Sequence, residues 1–316
     1  MSRFLKFCLV ASVLLTVLLA LVDYPFELIA RKSSDTISAS WYDFYENTVN
    51  ADVLFLGSSR AMNHIDPSII DKELGVNSFN LGLQAAHYDA MLARYEMYRK
   101  NNPPPGLVLI NVDHKSLSRT GLVEPSLGIT YFHDKMFRQK VLPLYRHSVS
   151  SRFIPMWRFH GFGLTKWLKR NPRVMNKGYI CYPGIYHSTY QDLLDLDLRY
   201  VINQYGVRSL EDLINVLKVD GCSIVFVFAP MYERARNMLA DFDKWHSYYD
   251  SLSNNLSVPI LDYSLTSISS DSTLFCDALH LNPDGSRLYT SLLAEDLKKM
   301  FPDSLRLGRG NNNHRR

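Results

Sequence analysis

Five short apolar runs separated by helical stretches constrain the fold of this chain more than any other feature. They are Val53–Leu56, closed by Gly57; Val76–Leu81, ahead of Gly82; Leu107–Val112; Ser223–Ala229, stopped by Pro230; and Pro259–Leu261, ahead of Asp262. Helical patterning fills the gaps, as in Pro67–Leu74, ended by Gly75, and Tyr88–Lys100, followed by the Pro103-Pro104-Pro105-Gly106 break. Mostly apolar strands are covered on both faces, and helices between consecutive strands make the sheet parallel. With 316 residues and 47% hydrophobic content the chain can bury a full core, so one large domain with an insertion is expected.

In open parallel sheets ligands bind beyond the carboxyl ends of the strands. Ser59 follows the first run, Gly82 the second, Asn111 closes the third, and Asp277 and His280 follow the fifth. The polar candidates therefore share one edge of the sheet. Serine alone is a weak nucleophile; an imidazole must take its proton, and a carboxylate must fix the imidazole's tautomer. Ser59 at a strand-to-helix turn, with Asp277 and His280 three residues apart, supplies that combination.

Gly57-Ser58-Ser59 and Asp277-Ala278-Leu279-His280, the latter followed by Leu281-Asn282-Pro283-Asp284-Gly285, resemble the end blocks of the SGNH/GDSL hydrolase superfamily. Ser58 replaces the usual Asp. A Gly-Ser-Ser version behind a membrane anchor resembles the branch with the D-alanyl transfer protein of teichoic-acid modification and the alginate O-acetylation proteins. The resemblance implies an α/β fold, a flavodoxin-like three-layer sandwich with a parallel five-stranded sheet, preceded by one transmembrane helix. It implies Ser59 as nucleophile, His280 as base, Asp277 as its orienting acid, Gly82 and Asn111 in the oxyanion hole, and no cofactor or metal. Asn80-Leu81-Gly82 matches the family's glycine block. The third block, usually Gly-x-Asn-Asp, reads Ile110-Asn111-Val112-Asp113, so Asn111 is either the third donor or a strand-end residue capping backbone.

The activity so implied is an extracytoplasmic, membrane-anchored serine esterase or O-acyltransferase acting on acyl esters of a cell-envelope polysaccharide. Its partners would be the bilayer, the acylated glycan and an acyl-handling integral membrane protein. The rival is a non-catalytic glycan-binding or export-scaffold protein that keeps the fold. His64-x-Asp66 and His87-x-Asp89 could suggest metal ligands, but Asp66-Pro67 reads better as a helix start.

At the N-terminus, Arg3 and Lys6 precede an uncharged apolar run from Phe7 to Val22, ended by Asp23. Residues 4–22 span about 28 Å as a helix, close to the roughly 30 Å hydrocarbon core. Leu19-Ala20-Leu21-Val22 is a poor cleavage site, which favours an uncleaved anchor over a signal peptide. The signal-like shape favours a cytoplasmic N-terminus, although Arg31 and Lys32 nearly balance the flanking charge.

The expected layout is an anchor at 4–22, a juxtamembrane linker at 23–50, an SGNH-like domain at 51–303 with an insertion at 115–205, and a disordered basic tail at 304–316. Within the insertion, residues 135–190 hold eleven Lys or Arg and no Asp or Glu, interleaved with aromatics. Trp157, Arg158 and Trp167, with Arg60 from the first block, are candidate substrate contacts; a lid or a surface resting on anionic headgroups are the alternatives. A net charge of +4 gives no support for nucleic-acid binding. Outside the anchor, Cys181, Cys222 and Cys276 permit at most one disulfide and lack zinc-site spacing.

Overall fold

The structure is a computed structural model that describes residues 2–31, 36–113, 115–118, 130–144, 154–159, 176–187, 202–239 and 241–301. Its sheet contains β1 (Val53–Leu56), β2 (Ser78–Asn80), β3 (Leu107–Asn111), β4 (Ser223–Phe228) and β5 (Ile260–Asp262). All neighbours pair in parallel, in the order β2-β1-β3-β4-β5. Strand order reverses at β1, so the crevice between the ends of β1 and β3 is the position where doubly wound sheets bind ligands.

Each apolar run of the sequence forms a strand, with trimmed ends. The fifth begins at Ile260 because Pro259 has no N–H to give to the ladder; its carbonyl still accepts Phe226 N–H at 2.8 Å. β1, β2 and β3 are buried at every residue. On one face Val53, Phe55, Leu109 and Val227 pack with Tyr289, Leu293 and Leu297 of the C-terminal helix Pro283–Met300. On the other, Phe226 and Phe228 meet Tyr249, and Phe228 also meets Trp245, both from the helix Phe242–Leu256. Each such fully buried side chain stabilises the fold by about 1.5–3 kcal/mol relative to exposure.

Local signals set the helix ends. The helix α4 (Pro67–Leu74) starts with Asp66 accepting Ser68 N–H at 2.9 Å and Pro67 in the first turn. Asn282 caps the C-terminal helix in the same way, accepting the N–H groups of Asp284 and Gly285, with Pro283 at the first position. The reading of Asp66-Pro67 as a helix start is therefore what the structure has.

The chain divides into two compact units, residues 1–42 with 121–174 and residues 43–120 with 175–316. Within the first unit, α1 (Arg3–Arg31) is long and apolar enough to cross a membrane. In the region expected as a juxtamembrane linker, 23–50, α1 runs to Arg31 and α2 spans Thr36–Tyr45. Two buried carboxylates lie on successive turns of α1. Glu27 accepts from Arg31 at 2.9 Å and lies 2.7 Å from His133 Nδ1, while Asp23 accepts Met156 N–H at 2.7 Å. Partnered in this way, they hold the helix together past the apolar run. The tail at 304–316 lies outside the described residues.

Candidate active site

The segment after β1 turns sharply into α3 (Ser59–His64). Gly57 permits the turn, since a Cβ there would come within 2.6 Å of Ala61 Cβ and 2.9 Å of Asn111 Cβ. Ser58 caps α3: its hydroxyl accepts Arg60 N–H at 3.3 Å and donates to Asp113 Oδ2 at 2.8 Å. Ser58 is buried by this pairing, whereas Ser59 is partly exposed at the first helical position. Backbone N–H groups in a first turn have no intrahelical partner, and the helix dipole there favours negative charge.

The segment after β5 brings the other two residues. Phe275 and Leu281 form a β-bridge, and Cys276 N–H donates to the His280 carbonyl at 2.9 Å, closing a tight loop. Inside it, Asp277 Oδ1 accepts the N–H groups of Leu279 at 2.8 Å and His280 at 2.9 Å. The same carboxylate lies 2.8 Å from His280 Nδ1 through Oδ2, and His280 Nε2 lies 2.8 Å from Ser59 Oγ. Residues 221 positions apart therefore share one hydrogen bond. With the carboxylate on Nδ1, the proton belongs on that nitrogen, and Nε2 is left to accept from the serine. Burial pushes the Asp277 carboxyl up, but hydrogen bonds from the His280 ring and from the Leu279 and His280 backbone outweigh it and hold the pKa below the usual value.

The expected oxyanion donors, Gly82 and Asn111, lie beside α3 and at the end of β3. Gly82 lies against α3, where a Cβ would come 2.5 Å from Met62 N, but its N–H donates to Asn80 Oδ1 at 2.8 Å. Asn111 is fully buried; its amide donates only a long bond, 3.4 Å, to Val112 O, and its Oδ1 has no partner. The Gly82 N–H and the Asn111 amide are thus each hydrogen-bonded within the protein.

Arg60, a candidate substrate contact, lies in α3. It is 3% exposed, and its guanidinium donates to the carbonyls of Ala229 and Pro230 at the end of β4. Burial lowers its pKa, with Asp113 pulling the other way. Trp157 is exposed in the first unit, the side chain of Arg158 is not described, and Trp167 lies outside the described residues.

Sequence reasoning missed two supports of the site. Asn80, at the end of β2, donates to the carbonyls of Ala61 and Ile65 at 2.8 and 2.9 Å, which fastens α3 to the sheet. His64, at the end of α3, accepts Leu281 N–H on Nε2 at 3.1 Å, and its ring lies edge-on 6.1 Å from that of His280. Burial depresses its pKa well below the ordinary histidine value, and Arg60 and His280 depress it further, so the ring is neutral. The histidine set aside as a metal ligand thus joins the serine helix to the histidine loop. No group of three or more His, Cys, Asp or Glu among the described residues could hold a metal ion.

No family model matches the chain, and no curated protein does. Solved structures do. A protein assigned to the G-D-S-L lipolytic family from Desulfitobacterium hafniense DCB-2 aligns over 78% of this chain and 99% of its own, at 11% identity and a TM-score of 0.41. A GDSL-like lipase from Bacteroides thetaiotaomicron VPI-5482 aligns over 78% and 88%, at 10% identity and 0.39. A family two carbohydrate esterase from Clostridium thermocellum, in complex with cellohexaose, aligns over 81% and 66%, at 10% identity and 0.41. The similarity is to GDSL-like lipolytic proteins and a carbohydrate esterase.

Proposed function

We propose that the chain is a membrane-anchored serine esterase or O-acyltransferase of the SGNH/GDSL kind, with its second unit outside the cytoplasm. The observation that carries this reading is the continuous hydrogen-bond path from Ser59 Oγ through His280 to Asp277, with both links 2.8 Å.

In the first half-reaction Ser59 Oγ attacks the acyl carbonyl while His280 Nε2 takes its proton. The imidazolium so formed is stabilised by Asp277, which keeps its own charge. Negative charge on the carbonyl oxygen falls at the start of α3, where the Ser59 N–H and the helix dipole favour it. His280 then gives its proton to the leaving alcohol. In the second half-reaction His280 deprotonates water or a sugar hydroxyl, which attacks the acyl-enzyme and frees Ser59. Transfer differs from hydrolysis only in that acceptor. The substrate class is an acyl ester of a cell-envelope polysaccharide, and an acyl-handling integral membrane protein is the expected donor partner.

One observation favours the rival scaffold reading: the Gly82 N–H is already satisfied by Asn80. Turnover of a small activated ester such as p-nitrophenyl acetate separates the two. An enzyme shows saturable release that Ser59→Ala abolishes; equal rates for the two proteins leave only the scaffold.

A further inference from the structure

The end of the apolar helix in the first unit has a neighbour whose position is fixed by hydrogen bonds. Asp23, the residue that ends the apolar run, accepts Met156 N–H at 2.7 Å. The turn containing Met156 lies along the following helical turns, with Phe159 edge-on to Phe26 at 4.8 Å and packed with Ala30. Phe26 and Ala30 lie beyond Asp23, so the Ile154–Trp157 end of this turn is level with Asp23. That is the level at which a spanning helix leaves the hydrocarbon.

At that level the turn exposes apolar surface. Ile154 is 45% exposed and Trp157 is 43% exposed, although the turn is held by Trp157 N–H to Ile154 O at 3.2 Å and Phe159 N–H to Met156 O at 3.0 Å. Tryptophan is enriched where one end of a side chain is apolar and the other wet, as at membrane interfaces. Basic side chains lie close by in the chain. His133, clamped between Asp23 and Glu27, leads directly into the short helix Lys135–Lys140, where Lys135, Arg138 and Lys140 are exposed and Phe137 is buried. Within the first unit, residues 135–174 carry ten basic residues and no acidic one.

We propose that the first unit is a membrane-interface platform: Ile154 and Trp157 enter the headgroup layer of a bilayer containing anionic lipids, and Lys135, Arg138 and Lys140 engage the lipid phosphates. The inference rests on the anchor reading of α1. The basic residues belong to a lipid contact, and they need no glycan to explain them.

The test uses the full-length protein in vesicles of phosphatidylcholine with phosphatidylglycerol, compared with Trp157→Phe. Subtracting the two emission spectra isolates Trp157 from Trp41, Trp167 and Trp245. We expect this component to be quenched by lipids brominated near the headgroup end of the chain and protected from aqueous iodide. In the triple variant Lys135→Glu, Arg138→Glu and Lys140→Glu, lipid quenching should fall about twofold, and added salt should have the same effect. A Trp157 component equally open to iodide with and without vesicles overturns the platform while leaving the anchor intact. Release of the whole protein by alkaline carbonate overturns the anchor reading, and the platform with it.

Discussion

Asp277 holds His280 twice, accepting its backbone N–H through Oδ1 at 2.9 Å and meeting its ring Nδ1 through Oδ2 at 2.8 Å. One carboxylate thus shapes the loop and sets the tautomer of the ring it carries. The three-residue spacing is what lets a single side chain do both.

Asp277→Asn should separate those two tasks. An amide oxygen can still accept the Leu279 and His280 N–H groups, so the fold should persist. An amide presents the ring with a donor and no charge, which favours the wrong tautomer. Turnover of an activated ester should fall by about a thousandfold to ten-thousandfold with little change in the melting curve. A loss under tenfold would mean that the carboxylate serves the loop alone.

Arg60→Met tests whether that arginine serves the fold or the substrate. Removing the guanidinium leaves the carbonyls of Ala229 and Pro230 without their buried donor, which should cost about 2–4 kcal/mol of stability. Chemical denaturation measures it. An unchanged midpoint with a raised KM would make Arg60 a substrate contact.

His64 predicts a pH dependence of stability. Its folded pKa lies well below its unfolded value of about 6.5, so below that pH the unfolded chain binds more protons than the native one. Stability is therefore unaffected by this group above pH ~7 and is lost as pH falls through the unfolded pKa, with a slope approaching about 1.4 kcal/mol per unit until the folded pKa is reached. His64→Gln retains an acceptor for Leu281 N–H but does not titrate. Its stability between pH 7 and pH 5, about the window set by the unfolded value, should fall less steeply than that of the native protein. Parallel curves would place the depressed titration elsewhere.

Gly82→Ala probes the close packing beneath α3. A Cβ there would sit 2.5 Å from Met62 N and 2.8 Å from Asn80 Oδ1, and backbone cannot give way cheaply. A loss of about 1–3 kcal/mol in thermal or denaturant unfolding is expected. Native stability would show that α3 can shift freely.

How much of this was legible in the sequence follows from the range of the forces. Val53–Leu56 and Leu107–Asn111 declared themselves because a strand buried on both faces must be apolar throughout. Asp277 and His280 were legible because their pairing is local. Ser58 with Asp113, Arg60 with Ala229 and Pro230, and His64 with Leu281 were not, since each joins residues 55 to 217 positions apart. Arg60 reads as a surface charge until β4 is placed beside it. Asp23 likewise reads as the end of the anchor; only the Met156 N–H and His133 explain why the helix continues to Arg31.

The most direct test of the central claim is the mass of the intact protein after exposure to a fluorophosphonate, followed by peptide mapping. One adduct on Ser59 is expected, none on Ser59→Ala, and in Ser58→Ala the adduct still on Ser59, because the Ser58 hydroxyl is engaged with Asp113. An adduct on Ser58, or equal labelling of the Ser59→Ala protein, would contradict it.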